Sequence, residues 1–106
     1  MKLLQPKPLR LPSSEPLERD VQRKVIAHAK RLGAYARKFS SPANAAVPDY
    51  IVLHRGRALF IEFKRRGKRP TPNQMDELRQ IREQAFLIFV IDDVPVGKFI
   101  LELVLL

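Results

Sequence analysis

Three side chains in the middle of the chain, Asp49, Glu62 and Lys64, are of the types that perform hydrolytic chemistry together. Asp49 opens an apolar-rich run that ends at His54, and Lys64 closes a second run that starts at Ala58. Arg55-Gly56-Arg57 between the runs predicts a hairpin. Alternation along an extended chain puts Phe60, Glu62 and Lys64 on one face, with Leu59, Ile61 and Phe63 on the other. The same rule groups Asp49, Ile51 and Leu53. A two-residue turn at Arg55-Gly56 sets Asp49 opposite Glu62, whereas a turn at Gly56-Arg57 sets it opposite Lys64. Either register gathers the three polar groups on one face, at one end of the hairpin. A three-residue turn without a bulge disperses them.

Carboxylates held that close on a half-buried sheet repel each other and resist leaving water. Lys64 offers one compensating charge and a divalent cation offers two. Carboxylate oxygens with a backbone carbonyl and water suit a hard cation, Mg²⁺ or Mn²⁺. Such an ion lowers the pKa of a bound water and stabilises the charge that develops when a phosphodiester is hydrolysed. A lysine beside it orients the attacking water or neutralises the phosphate. Taken alone, the three residues fit better a plain Glu62–Lys64 surface ion pair and an Asp49 cap after Pro48.

The elements that must position these residues follow from pattern. Residues 1–13 carry Pro6, Pro8 and Pro12 among Lys2, Lys7 and Arg10, which predicts a flexible basic arm ahead of one domain, 14–106. Ser14 reads as a helix N-cap, with Pro16 in the first turn and acidic Glu15 and Glu18 near the positive end of the dipole. Leu17, Val21, Val25, Ala29 and Leu32 recur at helical spacing until Gly33. Tyr35 to Phe39 predicts a short strand and Ser40 to Pro48 a loop. After the hairpin comes a basic loop, then a second helix from Thr71 with Leu78, Ile81 and Ala85 as its buried stripe. Phe86 to Ile91 is continuously apolar, as in a strand covered on both faces. Val94 to Leu106 is apolar but broken by Pro95 and Gly97, and helix is the favoured reading. The order is α-β-β-β-α-β-α: an α/β fold, a mixed sheet with helices packed on it.

The string Val47-Pro48-Asp49 followed by Ile61-Glu62-Phe63-Lys64 matches the PD…(D/E)xK pattern of restriction-enzyme-like nucleases. The longer stretch AVPDYIVLHRGRALFIEFKRRGKRPTPNQ resembles the virus-type replication-repair nuclease domain, VRR-NUC, over roughly residues 15–95. Ala46 departs from the pattern, standing where the family has glycine. The resemblance implies a restriction-endonuclease-like αβββαβ core. It implies Asp49 and Glu62 as metal ligands with the Phe63 carbonyl, Lys64 as the catalytic lysine, and Gln74 as a supporting glutamine. Thr71-x-x-Gln74 is equally a capping box, which would occupy Gln74 at the helix start. Glu18 matches a family glutamate that faces the site and would join the catalytic and metal-binding set; Glu15, about a turn earlier, competes for that role. The resemblance further implies a DNA endonuclease acting on four-way (Holliday) or other branched junctions as a homodimer. A viral or mobile-element origin is also part of it.

Charge agrees with a polyanionic partner. Lys and Arg number 20 against 11 Asp and Glu, a net +9. Residues 1–69 carry +12 and residues 70–106 carry −3. Arg65, Arg66, Lys68 and Arg69 follow Lys64 directly and are placed to hold nucleic-acid backbone without reading bases. Tyr35 and Phe39 read as core, and His28 and His54 as structural. The apolar residues Phe99, Ile100, Leu101, Leu103, Val104, Leu105 and Leu106 form a candidate dimer interface. With no cysteine, disulfides, thiolate zinc sites and cysteine nucleophiles are excluded. No apolar run is long enough to span a bilayer and no secretory-type leader is evident, so the expected setting is intracellular, cytoplasmic, without membrane or small-molecule cofactor beyond the metal. The alternative function is a non-catalytic nucleic-acid-binding module that keeps the fold. A small ribonucleoprotein subunit would explain the charge but leave the paired carboxylates unexplained.

Overall fold

A computed structural model describes residues 17–106; the predicted arm at 1–13, the Ser14 cap and Glu15 lie outside them. The elements are α1 (Glu18–Arg31), β1 (Tyr35–Lys38), β2 (Tyr50–His54), β3 (Arg57–Phe63), α2 (Pro72–Glu83), β4 (Leu87–Ile91) and α3 (Val94–Leu105). One sheet runs β1-β2-β3-β4, antiparallel across the first three strands and parallel between β3 and β4. This is the predicted mixed-sheet α/β architecture.

The amphipathic pattern of α1 buries Val21, Val25, Ile26 and Ala29, and the helix ends before Gly33 as the sequence predicts. Val21, Val25 and Ala29 are shielded completely against Val52, Leu59, Ile61 and Phe63 of the sheet and Leu101 of α3. These side chains form the core, and their burial is the main stabilising term. Leu17 departs from the predicted stripe, and the N-cap falls on it instead of on Ser14: its backbone is extended, the helix starts at Glu18, and Leu17 is 44% exposed.

The hairpin turn resolves the register. Arg55 (φ 49°) and Gly56 (φ 78°) both take left-handed backbone, the two-residue turn whose twist matches that of the strands. His54 then pairs with Arg57, and the ladder runs to Tyr50 opposite Ile61. Continued by one residue, it sets Asp49 opposite Glu62, the first of the two registers open to the sequence.

Three expectations are corrected. The apolar run through β4 is not covered on both faces: β4 is an edge strand, with Leu87 and Val90 more than 40% exposed. Ala85 is not on the buried stripe of α2; the helix stops at Glu83, and Ala85 is an exposed left-handed residue (φ 67°) that turns the chain into β4. Tyr35 is 53% exposed rather than core, with the Arg37 guanidinium 4.0 Å above its ring.

The C-terminal segment is a helix, as favoured. Asp93 caps it by accepting from the Val96 N–H at 3.0 Å, and Pro95 sits in its first turn. Gly97 marks where α3 crosses α1 and β4 at closest approach. A Cβ there would lie 2.7 Å from Val25 Cγ2 and 2.9 Å from Ile91 Cγ2, on side chains with no free space to move into. Gly97→Ala gains about 1 kcal/mol of helix propensity. Overpacking costs on the order of 1–3 kcal/mol. We therefore expect a net loss of stability, read as a lower urea midpoint with unchanged slope.

Candidate active site

At the end of the sheet opposite the hairpin turn, β2 begins and β3 finishes. Pro48, fully buried, fixes the chain just before Asp49. The Asp49 carbonyl accepts from the Phe39 N–H at 2.8 Å, which ties this point to the end of β1. The Asp49 carboxylate accepts from the Phe63 N–H at 2.7 Å, so its orientation is set by the backbone between Glu62 and Lys64. Lys64 leaves β3 with its own N–H donating to the Ile91 carbonyl of β4 at 3.0 Å. Main-chain hydrogen bonds from all four strands thus converge here. The loop before Asp49 has no left-handed backbone at Ala46, so alanine costs nothing where glycine was expected.

Glu62 is 1% exposed and its Oε2 has no hydrogen-bond partner. A buried unpaired carboxylate oxygen is costly, and the protein meets the cost by keeping the proton. Burial first, then a hydrogen bond to Asp49 and the Asp49 charge, push Glu62 up to about 8. Lys64 pulls in the opposite direction, and Glu18 adds a smaller upward push. Asp49, Glu62 and Lys64 are therefore brought together, with Glu18 close enough on the first turn of α1 for its charge to be felt.

Among the described residues no three His, Cys, Asp or Glu side chains cluster as a metal site. Glu18 does not join the Asp49–Glu62 pair at ligand spacing. Two adjacent carboxylates, one with a bare buried oxygen, nevertheless form a donor set that a hard divalent cation fits, since it would replace the proton that Glu62 holds. The Phe63 carbonyl lies on the same stretch of main chain that orients Asp49.

Gln74 closes a capping box. Its side-chain oxygen accepts from the Thr71 N–H at 2.9 Å while Thr71 Oγ1 accepts from the Gln74 N–H at 3.2 Å. The capping alternative is therefore realised; only the amide nitrogen remains for another contact. Arg65, Arg66, Lys68 and Arg69 are exposed on the loop after Lys64. That loop is anchored by Gly67 N–H donating to Asp92 (3.1 Å) and by Arg66 near Asp93 (3.9 Å). His28 sits 3.0 Å from Glu102, tying α1 to α3, and His54 is buried at the far end of β2.

Sequence reasoning missed a cationic groove on the other side of the site, lined by Arg19, Arg23, Lys30 and Lys38. Three of these recur along one strip of α1, the only signal available, and such a strip reads first as a solvated face.

The fold is that of a restriction-endonuclease-like α/β domain. No family model matches the chain. A protein of Acyrthosiphon pisum secondary endosymbiont phage 1, named "Putative nuclease p44", is 32% identical over 76 residues, 71% of this chain and 82% of the relative. A solved structure named as a VRR_NUC domain superposes with a TM-score of 0.74 at 29% identity, covering 80% of this chain and 94% of that one. A second, named VRR_NUC domain protein, shares the fold with a TM-score of 0.68 at 22% identity, over 83% and 87%. The chain belongs to the VRR-NUC family, and it is a nuclease. No helix among the described residues is long and apolar enough to cross a membrane.

The raised Glu62 pKa has a signed consequence. Between the ordinary value of 4.5 and about 8 the folded chain holds a proton that the unfolded chain has released. Stability from this group is complete below 4.5 and is lost as pH rises through about 8. In EDTA, thermal unfolding of the wild type is expected to fall over this window relative to Glu62→Gln, whose amide cannot ionise. Parallel Tm–pH curves for the two proteins would contradict the assignment.

Proposed function

We propose that the chain is a divalent-metal-dependent DNA endonuclease of PD-(D/E)xK type, with Asp49, Glu62 and Lys64 at its centre. The observation that carries this reading is the Asp49–Glu62 pair, with Glu62 buried and its Oε2 bare, two residues before Lys64. Asp49, Glu62 and the Phe63 carbonyl would hold Mg²⁺ or Mn²⁺, with Glu18 at the rim as a further carboxylate. When bound, such an ion polarises a phosphodiester and lowers the pKa of an attacking water.

The remaining work falls to the chain itself. The Phe63 N–H keeps Asp49 aimed at the reacting position, so little reorganisation is needed when substrate arrives. Lys64 is half-buried, where its charge acts in a lower dielectric, and it offsets the negative charge that builds on the phosphate. Arg65, Arg66, Lys68 and Arg69 hold the backbone beside the scissile bond through phosphate contacts, which favours recognition of shape over sequence. Gln74 supports the site by fixing the start of α2 after this loop.

Cleavage of labelled four-way junction, linear duplex and single strand tests the reading, with Mg²⁺, Mn²⁺ or EDTA. Asp49→Ala and Lys64→Ala, checked for folding, should each lower the rate by two or more orders of magnitude, the scale on which lost charge stabilisation acts. A junction cut far faster than duplex supports branched DNA as substrate. Cutting of all three alike would retain the chemistry and discard junction selectivity. Tight salt-sensitive binding without any cutting would leave the non-catalytic alternative.

The dimer reading rests on a narrower surface than the sequence offered. Leu101 and Leu105 are fully or almost fully buried in the chain's own core, so they cannot meet a partner. Val96, Phe99, Leu103 and Leu106 form one strip of α3, each more than half exposed. A two-fold pairing of this strip would bury it and supply two sites for a four-way junction. Sedimentation should show a dimer that Phe99→Glu converts to monomer; a wild-type monomer at high concentration would dismiss it.

A further inference from the structure

We infer a second nucleic-acid backbone site, in the groove between α1 and β1, on the opposite side of the carboxylate pair from the 65–69 loop. The inference rests on the nuclease reading and extends it to how the substrate lies. Arg19, Arg23 and Lys30 form one wall, Lys38 the other, with Gln22 and Tyr50 between them. The groove holds about 380 Å³ over a floor of Ile26 and Ala27. All four cations are exposed. No ion pair among the described residues involves Arg19, Lys30 or Lys38, and Arg23 has only a 3.8 Å approach to Asp20. Four cations along one groove repel one another unless a polyanion lies between them, and a phosphodiester backbone supplies that charge at regular intervals.

The topology gives the groove its place. Lys38 pairs with Tyr50, the residue after Asp49, and Arg19 follows Glu18, whose charge reaches Glu62. One end of the groove therefore reaches the end of the sheet where the carboxylates stand, at its β1 edge, with Tyr50 facing α1 and the neighbouring Asp49 side chain on the other face. The 65–69 loop leaves β3 and is tied to Asp92 and Asp93 on the β4 side. With strands about 4.8 Å apart, the two basic surfaces stand on the order of 15 Å from each other. A backbone leaving the groove at that end passes round the end of the sheet to Asp49 and Glu62 before it reaches the loop. The groove holds the substrate on one side of the cut and the loop holds it on the other.

The test is binding of a fluorescein-labelled DNA duplex in EDTA, by anisotropy, across 50–200 mM salt. The triple variant Arg23→Ala, Lys30→Ala, Lys38→Ala is compared with Lys24→Ala, Arg31→Ala, Arg82→Ala, which loses equal charge outside both basic surfaces. Each lost phosphate contact lowers the log–log salt slope by about 0.9. The groove variant should therefore lose about two to three in slope and at least tenfold in affinity at 100 mM salt. The control should keep the wild-type slope. All six residues are exposed, and circular dichroism confirms the fold of each variant. Equal losses in the two variants would overturn the groove while leaving Asp49-dependent cutting, and with it the nuclease reading, intact. No salt-dependent binding by the wild type would overturn both.

Discussion

The two-residue turn at Arg55-Gly56 is the constraint on which this site depends. Side chains alternate along a strand, so a slip of one residue in the ladder would send Glu62 to the wrong face. A shift of two would keep the face but set Lys64 opposite Asp49, leaving Glu62 without its partner. Left-handed backbone at Arg55 is uphill for a side chain with a Cβ, and Gly56 makes the second such conformation easy. The turn lies at the far end of the sheet from the chemistry. Its effect is carried along five paired positions as geometry.

Once the register is set, the electrostatics follow. Asp49 is satisfied by the Phe63 N–H and reached by solvent, whereas Glu62 is enclosed by the sheet and the elements around it. Of these two chemically similar groups it is the enclosed Glu62 that resists charge. The protein accepts a destabilising buried carboxylate at this one place. Among the described residues the core elsewhere is apolar, apart from His54, whose buried Nε2 is also unpaired. A local departure from good packing chemistry is where function is expected to sit.

Much of this was legible before any coordinates, for identifiable reasons. The α1 stripe, the hairpin and the Thr71–Gln74 capping box are local patterns, decided by spacing over a few residues. The Pro48-Asp49 and Glu62-x-Lys64 strings stand out by their resemblance to the PD…(D/E)xK pattern; alternation puts their side chains on one face but leaves the register open. What was hidden depends on neighbours remote in sequence. An apolar run says that a strand is hydrophobic, not how many elements cover it, so by pattern alone β4 reads as enclosed. The α3 segment is apolar nearly all round, and only its packing separates buried Leu101 from exposed Phe99. The α1 cations gained meaning only when Lys38 of another element closed their groove.

The uneven charge of the chain matches this arrangement. Most of the basic excess lies in residues 1–69 and the acidic remainder in 70–106. Acidic Asp76, Glu77, Glu83 and Glu102 belong to α2 and α3, while Asp92 and Asp93 are occupied in holding the 65–69 loop and capping α3. A polyanion is drawn to the α1–β1 groove and the basic loop rather than to α2 and α3, where the acids are largely offset by Arg79, Arg82 and Lys98. On the proposed reading, the two carboxylates stand between those cationic surfaces, whose charge offsets the repulsion a phosphate would meet there. Attraction at a distance and negative charge at the reacting position are thus reconciled by placement: the cations flank, and the acids are few, central and partly neutralised by a retained proton.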